Sequence, residues 1–343
     1  MGRRPTISDV ADRAQVHRST VARALNPATS GMLTPETVTR VQRAARDLGY
    51  TTNSFARGLR TSRSLTVGVL VPDLTNPLFP PIVRGIQEAL LPHGYTALIA
   101  NTDNDPEREA AHFEALVARQ VDGFIVASAR ENDPILDSAE RLATPIVLVN
   151  RSTGQRRFSL VGGDDRDGVR AALSHLVQLR HTHIAHLAGP AGVSTAEIRA
   201  TAFRDAAAAL GLRRAHTPVV ECDAFTEDGG ARAARQLFAS RPDVTAIIAG
   251  NDLIALGCLR QLARQGARCP DDVSVVGYND MRFADAFSPA LTTVRVPHAA
   301  MGAEAARLLL ERITDPQAVV KTLLLPVELI VRDSTAAPAP SRT

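Results

Sequence analysis

The chain has 343 residues, 45% of them hydrophobic, with 39 Lys and Arg against 36 Asp and Glu. That length holds a small domain beside one large or two medium ones. No apolar run approaches the ~20 residues of a membrane span, and the opening MGRRPTISDV lacks the apolar core of a secretory signal. Cys222, Cys258 and Cys269 are scattered, odd in number and without metal-ligand spacing, which suits a reducing cytoplasm and small core hydrophobes. The charge is uneven: residues 1–60 hold ten Arg against Asp9, Asp12, Glu36 and Asp47, so a front end of +6 is joined to a body of −3. A basic module on a mildly acidic body is the electrostatic footprint of nucleic-acid binding.

Thr6 and Asp9, three apart, form a capping box for a helix to about Ala14, with Ile7, Val10, Ala11 and Ala14 as its apolar stripe. After a short break, VHRSTVARALN (16–26) places Val21 and Leu25 on a buried face and leaves Arg18, Ser19, Thr20 and Arg23 outward. Thr34 caps a third helix, with Pro35 at its first position and Gly49 at its stop. Two short helices with a tight turn and a longer supporting helix make a helix-turn-helix layout. Residues 53–60, NSFARGLR, are too short for a stable isolated helix, and Gly58 weakens the interior. They read as a segment that orders on docking, with Asn53 as its cap.

From residue 64 onward, apolar β-rich runs (LTVGVLVP, YTALIANT, DGFIVAS, PIVLVN, FSLVGGD, HIAHLAGP, VTAIIAGN, VSVVGYN) alternate with helical stretches such as 79–91, 107–120, 166–179, 195–210, 228–240 and 252–265. That rhythm predicts parallel sheets covered on both faces, in two α/β lobes. Ligands of such folds sit beyond the carboxyl ends of the strands. Asp73, Asn76, 101–103, Asn150, Arg151, 223–225, Asn251 and Asn279 fall there, with Phe79 and Phe225 as flat apolar surfaces. This suits a small polyhydroxylated or cyclic molecule. Arg199, inside an otherwise apolar helix, requires either a ligand's oxygens or an acid of the fold. Asp252 reads as a helix cap.

TISDVADRAQVHRSTVARALN and TPETVTRVQRAARDLGYTTNSFARGLRT resemble the LacI/GalR family of bacterial transcriptional repressors, as do VPDLTNPLFPPIVRGI, HLAGPAGVSTAEIRATAF, AGNDLIALG, VSVVGYND and LTTVRVP. The resemblance implies an all-α helix-turn-helix domain (1–50), a hinge (51–62) and a periplasmic-binding-protein-like core of two doubly wound parallel-sheet lobes (63–343). Lobe one is expected at 63–162 and 293–322, lobe two at 163–292 and 323–335, and a flexible tail at 336–343. It also implies that residues 18–25 form the recognition helix, with Arg18 on a guanine edge or on phosphate. The expected DNA-contact set is Thr6, His17, Arg18, Ser19, Thr20, Arg23, Asn26, Asn53, Ala56 and Leu59. Leu59 is either a minor-groove wedge or a linker residue. The expected effector set is Asp73, Phe79, Asn150, Arg199, Phe225, Asn251 and Asn279.

The family usually has Gly at position 15 and Ser at 17, where this chain has Gln15 and His17; a retained left-handed turn at Gln15 costs about 1 kcal/mol. Asn150 and Asn279 stand where acids are common, which points to a neutral or weakly anionic effector rather than a cation. The partners implied are double-stranded operator DNA, a small effector of carbohydrate type and a second copy in a homodimer, with no cofactor, metal or membrane. An enzyme is not expected: GGDDRDG is not a pyrophosphate-cradling pattern, and the histidines of RHTHIAHLAG read as core or solvated rather than metal-binding. The competing reading is a solute-binding protein without DNA function, against which the basic head counts.

Overall fold

The computed structural model describes residues 5–50 and 63–339. The chain divides into two compact units, Met1–Ser64 and Leu65–Thr343.

The first unit contains α1 (Ile7–Ala14), α2 (Arg18–Ala24), the single turn α3 (Pro27–Ser30) and α4 (Pro35–Asp47). The Thr6 N–H donates to Asp9 Oδ2 at 2.6 Å and the Asp9 N–H to Thr6 Oγ1 at 3.4 Å, closing the capping box. Thr34 Oγ1 accepts from the Thr37 N–H at the start of α4, and Gly49 ends it at φ +64°. Val10, Ala11 and Ala14 of α1, Val21 and Ala24 of α2, and Val41, Ala44 and Ala45 of α4 make the core. The turn between α1 and α2 keeps its left-handed residue: Gln15 sits at φ 51°, ψ 51°. His17 caps α2 by ring rather than hydroxyl, its Nδ1 accepting from the Ser19 N–H at 3.3 Å. The α3 turn forms because the Asn26 carbonyl accepts from the Thr29 and Ser30 N–H groups.

The second unit carries β1 (Thr66–Val71), α5 (Phe79–Leu90), β2 (Thr96–Asn101), α6 (Pro106–Ala118), β3 (Gly123–Val126), α7 (Pro134–Arg141), β4 (Ile146–Val149) and β5 (Ser159–Gly163). There follow α8 (Asp165–Gln178), β6 (Ile184–Ala188), α9 (Ser194–Ala209), β7 (Val219–Glu221), α10 (Glu227–Ser240), β8 (Ala246–Ala249), α11 (Asp252–Arg264) and β9 (Ser274–Asn279). Last come β10 (Thr292–Arg295), α12 (His298–Thr314), β11 (Thr322–Leu325) and β12 (Glu328–Ile330). Among the described residues these strands form two six-stranded sheets, ordered β11-β5-β4-β3-β1-β2 and β12-β10-β9-β8-β6-β7. The first is parallel throughout, and in the second only β12 runs antiparallel, against β10. Central strands such as Gly123–Val126 and Ile146–Val149 are buried along their whole length, as helices on both faces require.

The strand order moves two of the expected lobe boundaries. Residues 293–295 belong to β10 and lie in the second sheet, not the first lobe; 323–325 belong to β11 and pair with β5 in the first sheet, not the second lobe. The chain thus crosses between lobes at 164, at 296–297 and at 326–327. It crosses a strand later than read because both lobes use the same apolar strand composition. Helix α12 returns to the first lobe and lies against α5, where a Cβ on Gly85 would stand 1.9 Å from the Ala299 carbonyl oxygen. Only glycine permits that approach. The tail is not free from 336: the Ala336 N–H donates to Ser274 Oγ at 3.0 Å, and its carbonyl lies 2.8 Å from His181 Nε2.

Candidate functional site

Helix α2 presents His17, Arg18, Ser19 and Arg23 to solvent, with Thr20 and Asn26 half-buried. Ser19 and Arg23, four apart, share a face. Among the described residues no carboxylate pairs with Arg18 or Arg23, so both guanidinium groups are available to an anionic partner. The His17 ring is 2.9 Å from Ser19 Oγ, which ties the first exposed turn of the helix together. Thr6 spends its hydroxyl on Asp9, at 2.8 Å, and so anchors α1 rather than reaching outward. Asn53, Ala56 and Leu59 lie outside the described residues.

In the second unit a narrow cleft opens between the carboxyl ends of the two sheets. Asn76, Leu78, Phe79, Asn150 and Arg151 line it from the first lobe; Thr195, Arg199, Phe225, Asn251 and Asn279 line it from the second. Six of the seven expected effector residues meet there. Asp73 does not: its carboxylate accepts from the Thr75 N–H and hydroxyl at 2.8 and 2.6 Å and shapes the loop before α5. Leu78 and Thr195 gave no polar-strand-end signal, whereas Asn76 and Arg151 stood at strand ends and had one. The lobes meet at the cleft's edge, where the Ser152 N–H donates to Ser194 Oγ at 2.9 Å.

Arg199 is buried, its side chain 5% exposed. Its Nε donates to Asp165 Oδ1 at 2.9 Å, its Nη1 to the Gly250 carbonyl at 2.6 Å, and its guanidinium lies 3.8 Å from the Tyr278 ring centre. The fold thus supplies the acid and the cleft still receives the guanidinium edge. Arg151, 6% exposed, has weaker support: Nη2 donates to Asn104 Oδ1 at 3.1 Å and Nη1 reaches the Ser128 carbonyl at 3.5 Å. Burial, with Arg130 nearby, pushes it down to about 10. Asn251 Oδ1 accepts from the Ile254 N–H at 2.8 Å, so Asn251 and not Asp252 caps α11. Asp252 turns inward, accepting from the Met281 N–H and the Thr293 hydroxyl at 2.7 and 2.5 Å, and burial raises its carboxyl to about 7.

Asn150 and Asn279 occupy positive φ, 68° and 110°, conformations that asparagine tolerates better than most side chains. Asn279 Oδ1 is buried without a hydrogen-bond donor. Phe225 lies over Gly189, where a Cβ would fall 2.2 Å from the ring. The arrangement can grip a ring between aromatic faces and bond its oxygens by amides and arginines. Among the described residues no cluster of His, Cys, Asp and Glu is disposed to hold a metal, and no helix is long and apolar enough to cross a membrane.

The family model for bacterial regulatory proteins of the lacI family matches residues 6–53, and that of a periplasmic binding protein-like domain matches 173–335. The ribose operon repressor of Halalkalibacterium halodurans is 32% identical over 330 residues, covering 96% of this chain and 97% of its own. The structure of the transcriptional regulator CelR–cellobiose complex superposes with a TM-score of 0.74 at 33% identity, covering 96% of this chain and 100% of that one. The lac repressor dimer bound to operator and an anti-inducer superposes with a TM-score of 0.86 at 28% identity, covering 98% and 100%.

Proposed function

We propose, because this chain belongs to the LacI family of bacterial regulatory proteins, that it represses transcription as a homodimer whose grip on a palindromic operator is set by a small effector in the inter-lobe cleft. It is a DNA-binding transcriptional regulator and not an enzyme. The observation that carries the reading is the union, in one chain, of an α2 helix with unpaired Arg18 and Arg23 and a polar cleft lined equally by two lobes.

The roles divide by chemistry. Arg18 offers a bidentate fork to a guanine edge, Ser19 and Thr20 short hydroxyls to bases or phosphates, and Arg23 a phosphate contact. His17 and Asn26 hold the two ends of the helix beside the backbone, and Thr6 fixes α1. Asn53, Ala56 and Leu59 form the hinge segment, with Leu59 as a wedge between base pairs. Two-fold symmetry of a dimer matches palindromic half-sites. The relatives' effectors support a sugar-like ligand here: the name of one carries ribose and a second is complexed with cellobiose. Such a ligand bridges the lobes beside the Ser152–Ser194 contact and biases their closure about the three crossings. Coupling of this kind is worth typically ~1–3 kcal/mol. A protein that works on operator DNA acts in the cytoplasm.

Repeated selection of bound sequences from a random duplex pool tests the reading. It predicts enrichment of a two-fold symmetric sequence. A pool that stays random after selection, with binding equal to that of competitor DNA, overturns it. A solute-binding protein without DNA function is not favoured, since residues 6–53 match the DNA-binding family model.

A further inference from the structure

The charge inside the cleft is one-sided. Among its ten lining residues none is an acid and two are buried arginines. Arg199 is balanced by Asp165. Arg151 is not: its two hydrogen-bond acceptors, Asn104 Oδ1 and the Ser128 carbonyl, are neutral. The buried acid behind it, Glu109, is engaged by Arg130 at 2.7 Å and by the Ser128 hydroxyl. Asp133 beside them turns its carboxylate to the backbone N–H groups of Ile135 and Arg130 and makes no hydrogen bond to Arg151. Glu109 acts on Arg151 only through space, and a buried guanidinium with no carboxylate bonded to it gains when something anionic meets it directly. Across the cleft, Asn279 Oδ1 is a buried acceptor that no donor reaches. Phe79 and Phe225 add apolar faces suited to the C–H side of a sugar ring.

We propose that the effector is a monosaccharide-sized polyol bearing one carboxylate or phosphate, its anionic group on the Arg151 guanidinium and one hydroxyl donating to Asn279 Oδ1. The assignment rests on the reading that this cleft is the effector site. Neutral sugars satisfy the amides but leave the Arg151 charge unmatched. An anionic group converts its hydrogen bonds into charge-assisted ones, which are about twice as strong. Asparagine at 150 and 279 fits this preference, because a carboxylate at either place would repel the ligand's own charge.

Isothermal titration of the full-length protein with matched series tests it: glucose, glucuronate and glucose 6-phosphate, then ribose and ribose 5-phosphate. The glucuronate and glucose 6-phosphate arms separate the two anionic chemistries. One anionic member is expected to bind about ten-fold or more tightly than its neutral counterpart. Asn150→Asp, which sets a carboxylate beside Arg151, is expected to shrink that preference to about threefold or less. Arg151→Met is expected to abolish it. A neutral sugar that binds as tightly as its anionic counterparts overturns the assignment; the cleft reading survives if Phe225→Ala removes that binding. Absence of binding in every arm also overturns the assignment. The cleft reading falls with it only if Phe225→Ala keeps the wild-type response of operator binding to a whole metabolite extract.

Discussion

Asp165 Oδ1 accepts from Arg199 Nε at 2.9 Å inside the second lobe, with both side chains less than a tenth exposed. The pair lies beneath the cleft and also joins α8 to α9. Removing one member leaves the other charged and buried, so Asp165→Ala is expected to cost about 3–5 kcal/mol of stability. Replacing both, as Asp165→Leu with Arg199→Met, is expected to recover most of that loss while abolishing effector binding. Urea unfolding and titration calorimetry on the same preparations check the two halves. A double variant that still binds effector would remove Arg199 from the site.

Gln15 holds a left-handed backbone at φ 51°, which costs a side chain about 1 kcal/mol relative to glycine. Gln15→Gly is expected to stabilise the first unit by about that amount. Hydrogen exchange in the full-length chain checks it, as roughly five-fold slower exchange of the α1 and α2 amides. Unchanged or faster exchange would mean that the glutamine makes a compensating contact.

On DNA, Arg18→Ala is expected to cost ~1–3 kcal/mol and to relax the preference at one operator position, whereas loss of a phosphate contact at Arg23 weakens all sequences alike. Leu59→Ala is expected to weaken operator binding and leave effector affinity intact. Competition binding against a set of single-base operator variants checks both. A Leu59→Ala protein with wild-type operator affinity would assign that residue to the linker.

His186 is buried in β6, its Nδ1 bonded to the Ile248 carbonyl at 2.8 Å, and burial drives its pKa down to about 4. Unfolded, the ring titrates at 6.5. Between these values the unfolded chain binds the extra proton, so this group's contribution to stability rises with pH from about 4 to 6.5 and is lost on acidification. Relative to a His186→Leu protein, the wild type is expected to lose about 3 kcal/mol between pH 6.5 and 4. Parallel pH profiles of the two urea midpoints would show that the folded His186 takes up its proton as readily as the unfolded one.

The helices were legible because their caps and apolar periods are local. Asp252–Arg264, for instance, begins where the sequence places it. The reversal at its cap was not legible: Asn251 and Asp252 are both good caps, and only the distant Thr293 hydroxyl and Met281 N–H draw Asp252 inward. The lobe crossings escaped for a similar reason: 323–325 joins its sheet through β5, well over a hundred residues earlier, and 293–295 joins the other through β9 and β12 rather than through the strands nearest in the first lobe. At the cleft, strand ends pointed to Asn76, Asn150, Arg151, Asn251 and Asn279, which line it, but also to Asp73, Asn101, Asp103 and Asp223, whose side chains are taken by Thr75, the Leu74 N–H, Arg108 and Arg232. Arg151 was visible as a strand-end residue, but its lack of an acid partner appears only once the Arg130–Glu109 pair is in place.

The central claim is that a ligand in the cleft tunes the grip of the helix-turn-helix unit on DNA. Titrating the selected operator duplex by fluorescence anisotropy, with and without saturating cleft ligand, tests it most directly. The account predicts curves displaced by about five- to 150-fold, and their superposition in the Phe225→Ala protein. Superimposed curves for the wild type, under conditions where calorimetry shows the ligand bound, would contradict it.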